Sequence, residues 1–367
     1  MATEVALTSG SETSPRNGIV DCDVHVRVAR DDDLLAHLPK RWRYHRSTFG
    51  SRTYESEFYV RTAPLGQRVD SFPPSGLLPG ADIDFLREQL LDAYGIKVGI
   101  MTPFPYPAEE RNPDYAVALS RAVNDWQLEH WIAREPRMRA SLFLTPDEPD
   151  AALAEIERRA GDERFVQVFL AAGTNEPAGS RRYWRIYEAA AANGLPVAFH
   201  TGAHNGHPHS PAGFPSFYLE NHTGAAIMFQ EQVTSLVFQG TFTAIPDLKI
   251  VLIEGGVAWM APLMWRLDRA WRKLRDEIPA LDRPPSEYIR DHFWMTTQPI
   301  EEPANPLDFL YHLEHMGMSD RLMYASDYPH WDFDDPRRVL PSCFGRDLRN
   351  AIMGGTAREL YGFAAKR

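Results

Sequence analysis

The stretch Gly18-Ile-Val-Asp-Cys-Asp-Val-His-Val26 decides the fold. It is a short apolar run that turns polar, at Asp23 and His25, just where it ends. Two later runs end the same way: Pro196-Val-Ala-Phe-His200 and Leu322-Met-Tyr-Ala-Ser-Asp327. Short apolar runs of this kind read as buried strands of a parallel sheet. Ligands of such sheets bind beyond the carboxyl ends of the strands, and a closed eight-stranded barrel gathers its catalytic groups there. Asp23, His25, His200 and Asp327 converging at that end would offer nitrogen and oxygen donors to a divalent transition metal, zinc or manganese. The expectation is a metalloenzyme.

Strand alternation sharpens the geometry, because successive side chains point to opposite faces. It puts Asp21, Asp23 and His25 on one face, toward a barrel axis, and Cys22 and Val24 on the other, toward covering helices. The same parity places Ala198 inside and Val197 and Phe199 outside on the His200 strand.

Working outward, strands and helices alternate along the chain, which implies a parallel sheet. Further strands are expected at 97–103, 138–144, 165–170, 249–256 and 293–297. Helices are expected at 82–94, from Pro113 to about Glu135, at 150–160, 181–193, 217–238, 259–277 and 307–316, with helical segments continuing to Tyr361. Asn112-Pro113 is an N-cap followed by proline in the first turn, and Gly95 and Gly194 suit helix ends. Eight such units make a TIM (β/α)8 barrel with insertions after strands one and five, at 30–80 and 202–216. Residues 18–367 are read as a single domain, and the polar segment 1–17, which lacks an apolar signal core, as a disordered lead.

Composition narrows the function. The chain has 367 residues, 44% hydrophobic content and a net charge of −11. That balance argues against a nucleic-acid or anionic-membrane surface, and no apolar run approaches the roughly 18–20 residues that cross a bilayer. Two cysteines, Cys22 and Cys343, give no disulfide framework, so a reducing cytoplasm is the expected home.

Taken together, Asp23-x-His25, Phe199-His200-Thr-Gly202, Leu252-Ile-Glu-Gly-Gly256 and Tyr324-Ala-Ser-Asp-Tyr-Pro-His330 resemble the amidohydrolase superfamily, over nearly the whole chain. The branch they look closest to contains aminocarboxymuconate-semialdehyde and γ-resorcylate decarboxylases. The resemblance implies metal ligation by Asp23, His25, His200 and Asp327, one ion held by a strand-one pair, a strand-five His and a strand-eight Asp. Binuclear members add a strand-four Lys, and Phe165-Val-Gln-Val-Phe-Leu170 has none, so one metal is expected. Two positions depart from the pattern. Asp23 stands where the superfamily often has His, and Glu254 ends strand six where many members carry a His that acts on the substrate.

Catalytic roles fall on Asp327, Glu254 and His204. Glu254 also reads as a salt-bridge partner for Arg266, and His204, His207 and His209 as solvated loop histidines. His222 and His330 are expected to contact substrate, with helix capping and a surface turn as their alternatives. Trp259, Trp265 and Trp271 read as packing or a subunit interface, and a homodimer is expected. The expected activity is non-oxidative removal of a carboxylate from an aromatic or unsaturated acid, a small-molecule substrate. Hydrolysis of an amide, ester or lactone by the same centre is the alternative, and a non-catalytic small-molecule-binding barrel ranks last.

Overall fold

The structure is a computed structural model that describes residues 18–50, 66–104, 107, 110–202, 209–210 and 212–363. Eight parallel strands follow one another in chain order around a barrel: β1 (Ile19–Arg27), β2 (Ile96–Phe104), β3 (Met138–Phe143), β4 (Phe165–Ala171), β5 (Val197–His200), β6 (Ile250–Ile253), β7 (Phe293–Thr296) and β8 (Leu322–Met323). The seam between β8 and β1 is closed by Cys22 N–H donating to Tyr324 O (3.0 Å) and His25 N–H donating to Tyr328 O (2.8 Å). Buried Asp21 reinforces it: Oδ1 accepts from Ser326 N–H at 2.9 Å. Between strands run the helices Pro113–Trp126, Pro149–Arg159, Trp184–Ala192, Tyr218–Phe238, Met260–Leu274 and Pro306–Met316. The expected TIM barrel is what forms.

Two apolar cores divide the burial. Val20, Cys22, Val98, Ile100, Val166, Ala198, Val251, Ile253, Trp294 and Met323 cluster together with Ala357 and Leu360 of the terminal helix Thr356–Tyr361. A larger cluster, holding Val24, Val197 and Phe199 with the helices' apolar faces, surrounds it. Ala198 inside and Val197 and Phe199 outside agree with the alternation read from the sequence.

On β1 the alternation holds for Asp23, Val24 and His25 but fails at Asp21 and Cys22. Val20 and Cys22 join the inner cluster and Val24 the outer one, so Cys22 does not face the helices. The register explains this. Asp21 pairs with Gly99 and Val24 with Met101, three steps on one strand against two on its neighbour. One extra residue is a bulge, which turns the strand's parity and re-aims the side chains that follow. Asp23 and His25 consequently meet the other ligand-type residues, while Asp21 serves the seam.

The first insertion bears on the mouth. It is not wholly irregular, since Lys40–Phe49 is helical and Asp31–Leu35 forms a short helix. Its far end grips the segment after β8: Arg68 N–H donates to Pro329 O (2.9 Å) and Trp331 N–H to Gly66 O (2.8 Å). At Gly80 the backbone has φ 78°, and an added Cβ would lie 2.6 Å from the carbonyl oxygen of His25. Only glycine permits that approach to β1. No described helix is long and apolar enough to cross a membrane. The expected lead 1–17 lies outside the described residues.

Candidate metal centre

β5 ends on His200, and β6 stops at Ile253, one residue before Glu254. Glu254 has φ 61° and Asp327 φ 56°, left-handed values that non-glycine residues seldom adopt. Such conformations cost on the order of 1–3 kcal/mol and persist where the surrounding structure imposes them, often at functional sites. Here each follows a short strand and bears a carboxylate at the barrel mouth.

The distances are those of a converging donor set. His25 Nε2 lies 2.9 Å from Asp327 Oδ1 and 3.7 Å from Asp23 Oδ1. His200 Nε2 lies 3.3 Å from Asp23 Oδ2 and 3.0 Å from Glu254 Oε2. One group of possible ligand atoms is Asp23, His25, His200 and Glu254, all within 4.8 Å of one another, and a second, sharing His25, is His25, Asp327 and His330. Asp23, His25 and His200 thus share one group, and Asp327 reaches it through His25. Glu254 joins them instead of pairing with Arg266.

Electrostatics asks for a cation. Burial pushes Asp327 well above the usual carboxylate range, and the charges of Glu254, Asp332 and Asp23 push it further. Burial likewise raises Glu254, opposed by His200. Burial lowers His25 well below the ordinary imidazole value. On His200 burial acts the same way, but Asp23 and Glu254 outweigh it and raise the imidazole to about 10. Asp23 Oδ1 accepts from Thr102 Oγ1 at 2.5 Å, whereas its buried Oδ2 has no hydrogen-bond donor. Crowded carboxylates, inward imidazole nitrogens and an unsatisfied buried oxygen fit one divalent ion, and a set this rich in oxygen suits manganese as well as zinc.

Around this set lies a second ring of contacts. His330 Nδ1 is 2.6 Å from Asp327 Oδ1, so this residue touches a ligand-type carboxylate and not merely a surface turn. Gln298 Nε2–H donates to Asp327 Oδ2 (3.1 Å) and to Asp332 Oδ2 (2.8 Å). His222, on the helix Tyr218–Phe238, places Nε2 2.8 Å from Asp332 Oδ2. His209 turns to the helix backbone, with Nδ1 2.7 Å from Asn221 O. His204 and His207 lie outside the described residues. Trp259 donates Nε1–H to Gly255 O (2.7 Å), a packing role.

Sequence reasoning overlooked Thr102, Gln298 and Asp332. The strand-end rule that found His200 applies to Gln298, just beyond β7. Asp332 gives no such signal, for it stands five residues past Asp327 in a turn shaped by the distant first insertion.

Residues 20–363 match the family described as Amidohydrolase. The chain belongs to that family. Among curated members, a gamma-resorcylate decarboxylase from Rhizobium radiobacter is 28% identical over 274 residues, covering 69% of this chain and 79% of the relative. Two solved structures show the fold that this amidohydrolase shares. One is a 2,6-dihydroxybenzoate decarboxylase complexed with 2,6-dihydroxybenzoate, with TM-score 0.65 and 21% identity over 94% of this chain and 99% of the other. The other is a 5-carboxyvanillate decarboxylase from Novosphingobium aromaticivorans, complexed with manganese and 4-hydroxy-3-methoxy-5-nitrobenzoic acid. Its TM-score is 0.70, with 18% identity over 98% of this chain and the whole of that one.

One packing contact ties this centre to its neighbours. A Cβ on Gly255 would fall 2.5 Å from Cδ2 of Phe229, a fully buried ring on the helix that carries His222. Gly255→Ala should therefore cost about 1–3 kcal/mol through overpacking. Any activity found should also fall, because Glu254 is its neighbour. A melting curve beside an activity assay checks this; a variant matching the parent in both would show that the ring gives way freely.

Proposed function

We propose that this amidohydrolase is a mononuclear carboxy-lyase, dependent on one divalent ion, zinc or manganese, and acting non-oxidatively on an aromatic carboxylic acid. The observation that carries the proposal is the convergence of Asp23, His25, His200 and Asp327 at the barrel mouth. The similarity to gamma-resorcylate decarboxylase supports decarboxylation as the reaction. A bound divalent ion would supply a Lewis acid for the substrate's carboxylate or an adjacent oxygen.

The residues divide the remaining work. Asp23, His25, His200 and Asp327 hold the ion. Asp327 is fixed from two sides, by Gln298 and His330, so its carboxylate keeps one orientation as substrate enters. Glu254 exchanges a proton with the substrate's oxygen, and His222 and His330 contact its outer groups. His204 belongs to this catalytic set. The fold from residue 18 onward works as one domain. Exposed Trp265 and Leu274 on the helix Met260–Leu274 support a homodimer, and two free cysteines support a reducing, cytoplasmic location.

The test is a panel of hydroxylated aromatic acids beside simple amides, esters and lactones, offered to manganese- or zinc-loaded protein. Carbon dioxide release from at least one acid is expected. Hydrolytic turnover without carbon dioxide would replace the lyase by a hydrolase and leave the metal centre standing.

A further inference from the structure

The outer end of β1 carries a cation above the metal centre. Val24 and Val26 both join the outer apolar cluster, so His25 and Arg27 turn to the opposite face. Register sets Arg27 beside Phe104 just as it sets His25 beside Thr102. The Arg27 guanidinium lies over the Phe104 ring, with Cζ 4.4 Å from the centroid. That ring stacks in turn on His25, centroids 5.0 Å apart and planes 21° from parallel, and meets His330 edge-on at 6.2 Å. Two residues along a strand span roughly 6–7 Å, comparable to the distance between two substituents of one benzene ring. Arg27 thus stands about one ring's width outward from His25, on the face where the ligand-type side chains converge.

Charge points the same way. Burial and the charges of Glu254, Asp332 and Asp23 hold Asp327 well above the usual carboxylate range, so the mouth is strongly negative before an ion binds. An anionic substrate meets that field with one divalent ion to offset it, and a second cation at the rim draws it in. The charge of Arg27 reaches the centre: burial lowers His25 and His330, and the guanidinium adds to the lowering of both. Arg68, whose backbone holds the segment beyond β8, commits its side chain to Asp70 at 2.9 and 2.6 Å. Arg27 and Phe104 are half-buried, so a ligand arriving from solvent can reach them.

We propose that Arg27, braced on Phe104, binds a second carboxylate of the substrate, so that this centre prefers aromatic dicarboxylates, with one carboxylate at the metal and the other at the rim. This names the substrate class of the same site and rests on the aromatic-acid reading given above. A planar guanidinium matches a carboxylate with two parallel N–H donors, and stacking on an aromatic ring keeps that fork in one plane. Arg27 makes and breaks no bond in the reaction; it selects and orients the acid.

The experiment compares 4-hydroxyisophthalate with 2-hydroxybenzoate, which differ by the one carboxylate at issue, on the manganese-loaded full chain. Calorimetry gives both dissociation constants without turnover, and carbon dioxide release is followed alongside. The parent should bind the dicarboxylate roughly tenfold or more tightly than the monocarboxylate, the usual contribution of hydrogen bonds between charged groups. Arg27→Gln should shrink that margin to about threefold or less, whereas Arg27→Lys, which keeps the charge and loses the fork, should retain part of it. Equal weakening of both acids, the mark of a purely structural role, leaves the margin at the parent's value and overturns the subsite. So does a parent that does not distinguish the two acids. If Arg27→Gln fails to fold, Arg27→Lys decides, and a margin unchanged in that variant overturns the subsite. A parent that binds neither acid overturns the aromatic-acid reading and this proposal with it. A parent that releases carbon dioxide from either acid, with a margin indifferent to Arg27, overturns this proposal alone.

Discussion

Replacing His200 by alanine is expected to strip the divalent ion from the protein. His200 stands between two carboxylates, 3.3 Å from Asp23 and 3.0 Å from Glu254, and supplies an imidazole to both. Without it the remaining ligand atoms come mostly from crowded acids. Elemental analysis of the parent should give about one ion per chain, and of His200→Ala far less; stoichiometric metal in the variant, or two ions in the parent, would contradict the ligand set. The same residue predicts a pH dependence. With no metal bound, Asp23 and Glu254 raise His200 to about 10 against the effect of burial, so a proton competes with the ion below that pH. Metal binding should release that proton, and affinity should rise about tenfold per pH unit while one proton is displaced. The sign for metal-free stability is the opposite. A raised imidazole contributes stability that is full below its unfolded value near 6.5 and fades as pH climbs toward 10.

Asp327→Asn should separate function from stability. Its carboxyl is pushed up by burial and by the charges of Glu254, Asp332 and Asp23, so a neutral amide of the same shape relieves repulsion in the metal-free protein. Its melting temperature should hold or rise. Turnover should fall by roughly 10²–10⁴-fold, the range for a carboxylate acting at the reacting centre. An active and unaltered Asn variant would move the catalytic carboxylate elsewhere, with Glu254 as the next candidate.

Strand ends were the legible part of this chain. Polar residues closing apolar runs placed Asp23, His25, His200, Glu254 and Asp327 at one rim, because a parallel sheet with both faces covered leaves only its ends for chemistry. Inner and outer faces were legible on β5, and on β1 for Asp23, Val24 and His25 but not for Asp21 and Cys22, which precede the extra residue between Asp21 and Val24. Composition does not announce a bulge. β8 is paired only over Leu322–Met323, and Ser326 and Asp327 already belong to the turn that β1 and the first insertion hold in place. The helix Lys40–Phe49 escaped notice because arginines and aromatics obscure its apolar stripe, with only Trp42 and Arg46 buried. Asp332 and its link to His222 arise from tertiary contact between segments 110 residues apart, which no local pattern carries.

The central claim is that this barrel mouth removes a carboxylate and protonates the carbon it leaves. One measurement addresses both halves: an aromatic acid ¹³C-labelled at the carboxyl, incubated with metal-loaded protein in deuterated water and followed by NMR, with a chelated sample alongside. The account predicts ¹³C carbon dioxide and bicarbonate together with a single deuteron at the vacated ring position, both abolished by chelation. Label retained in the acid while an ester, amide or lactone in the same tube is hydrolysed would contradict it.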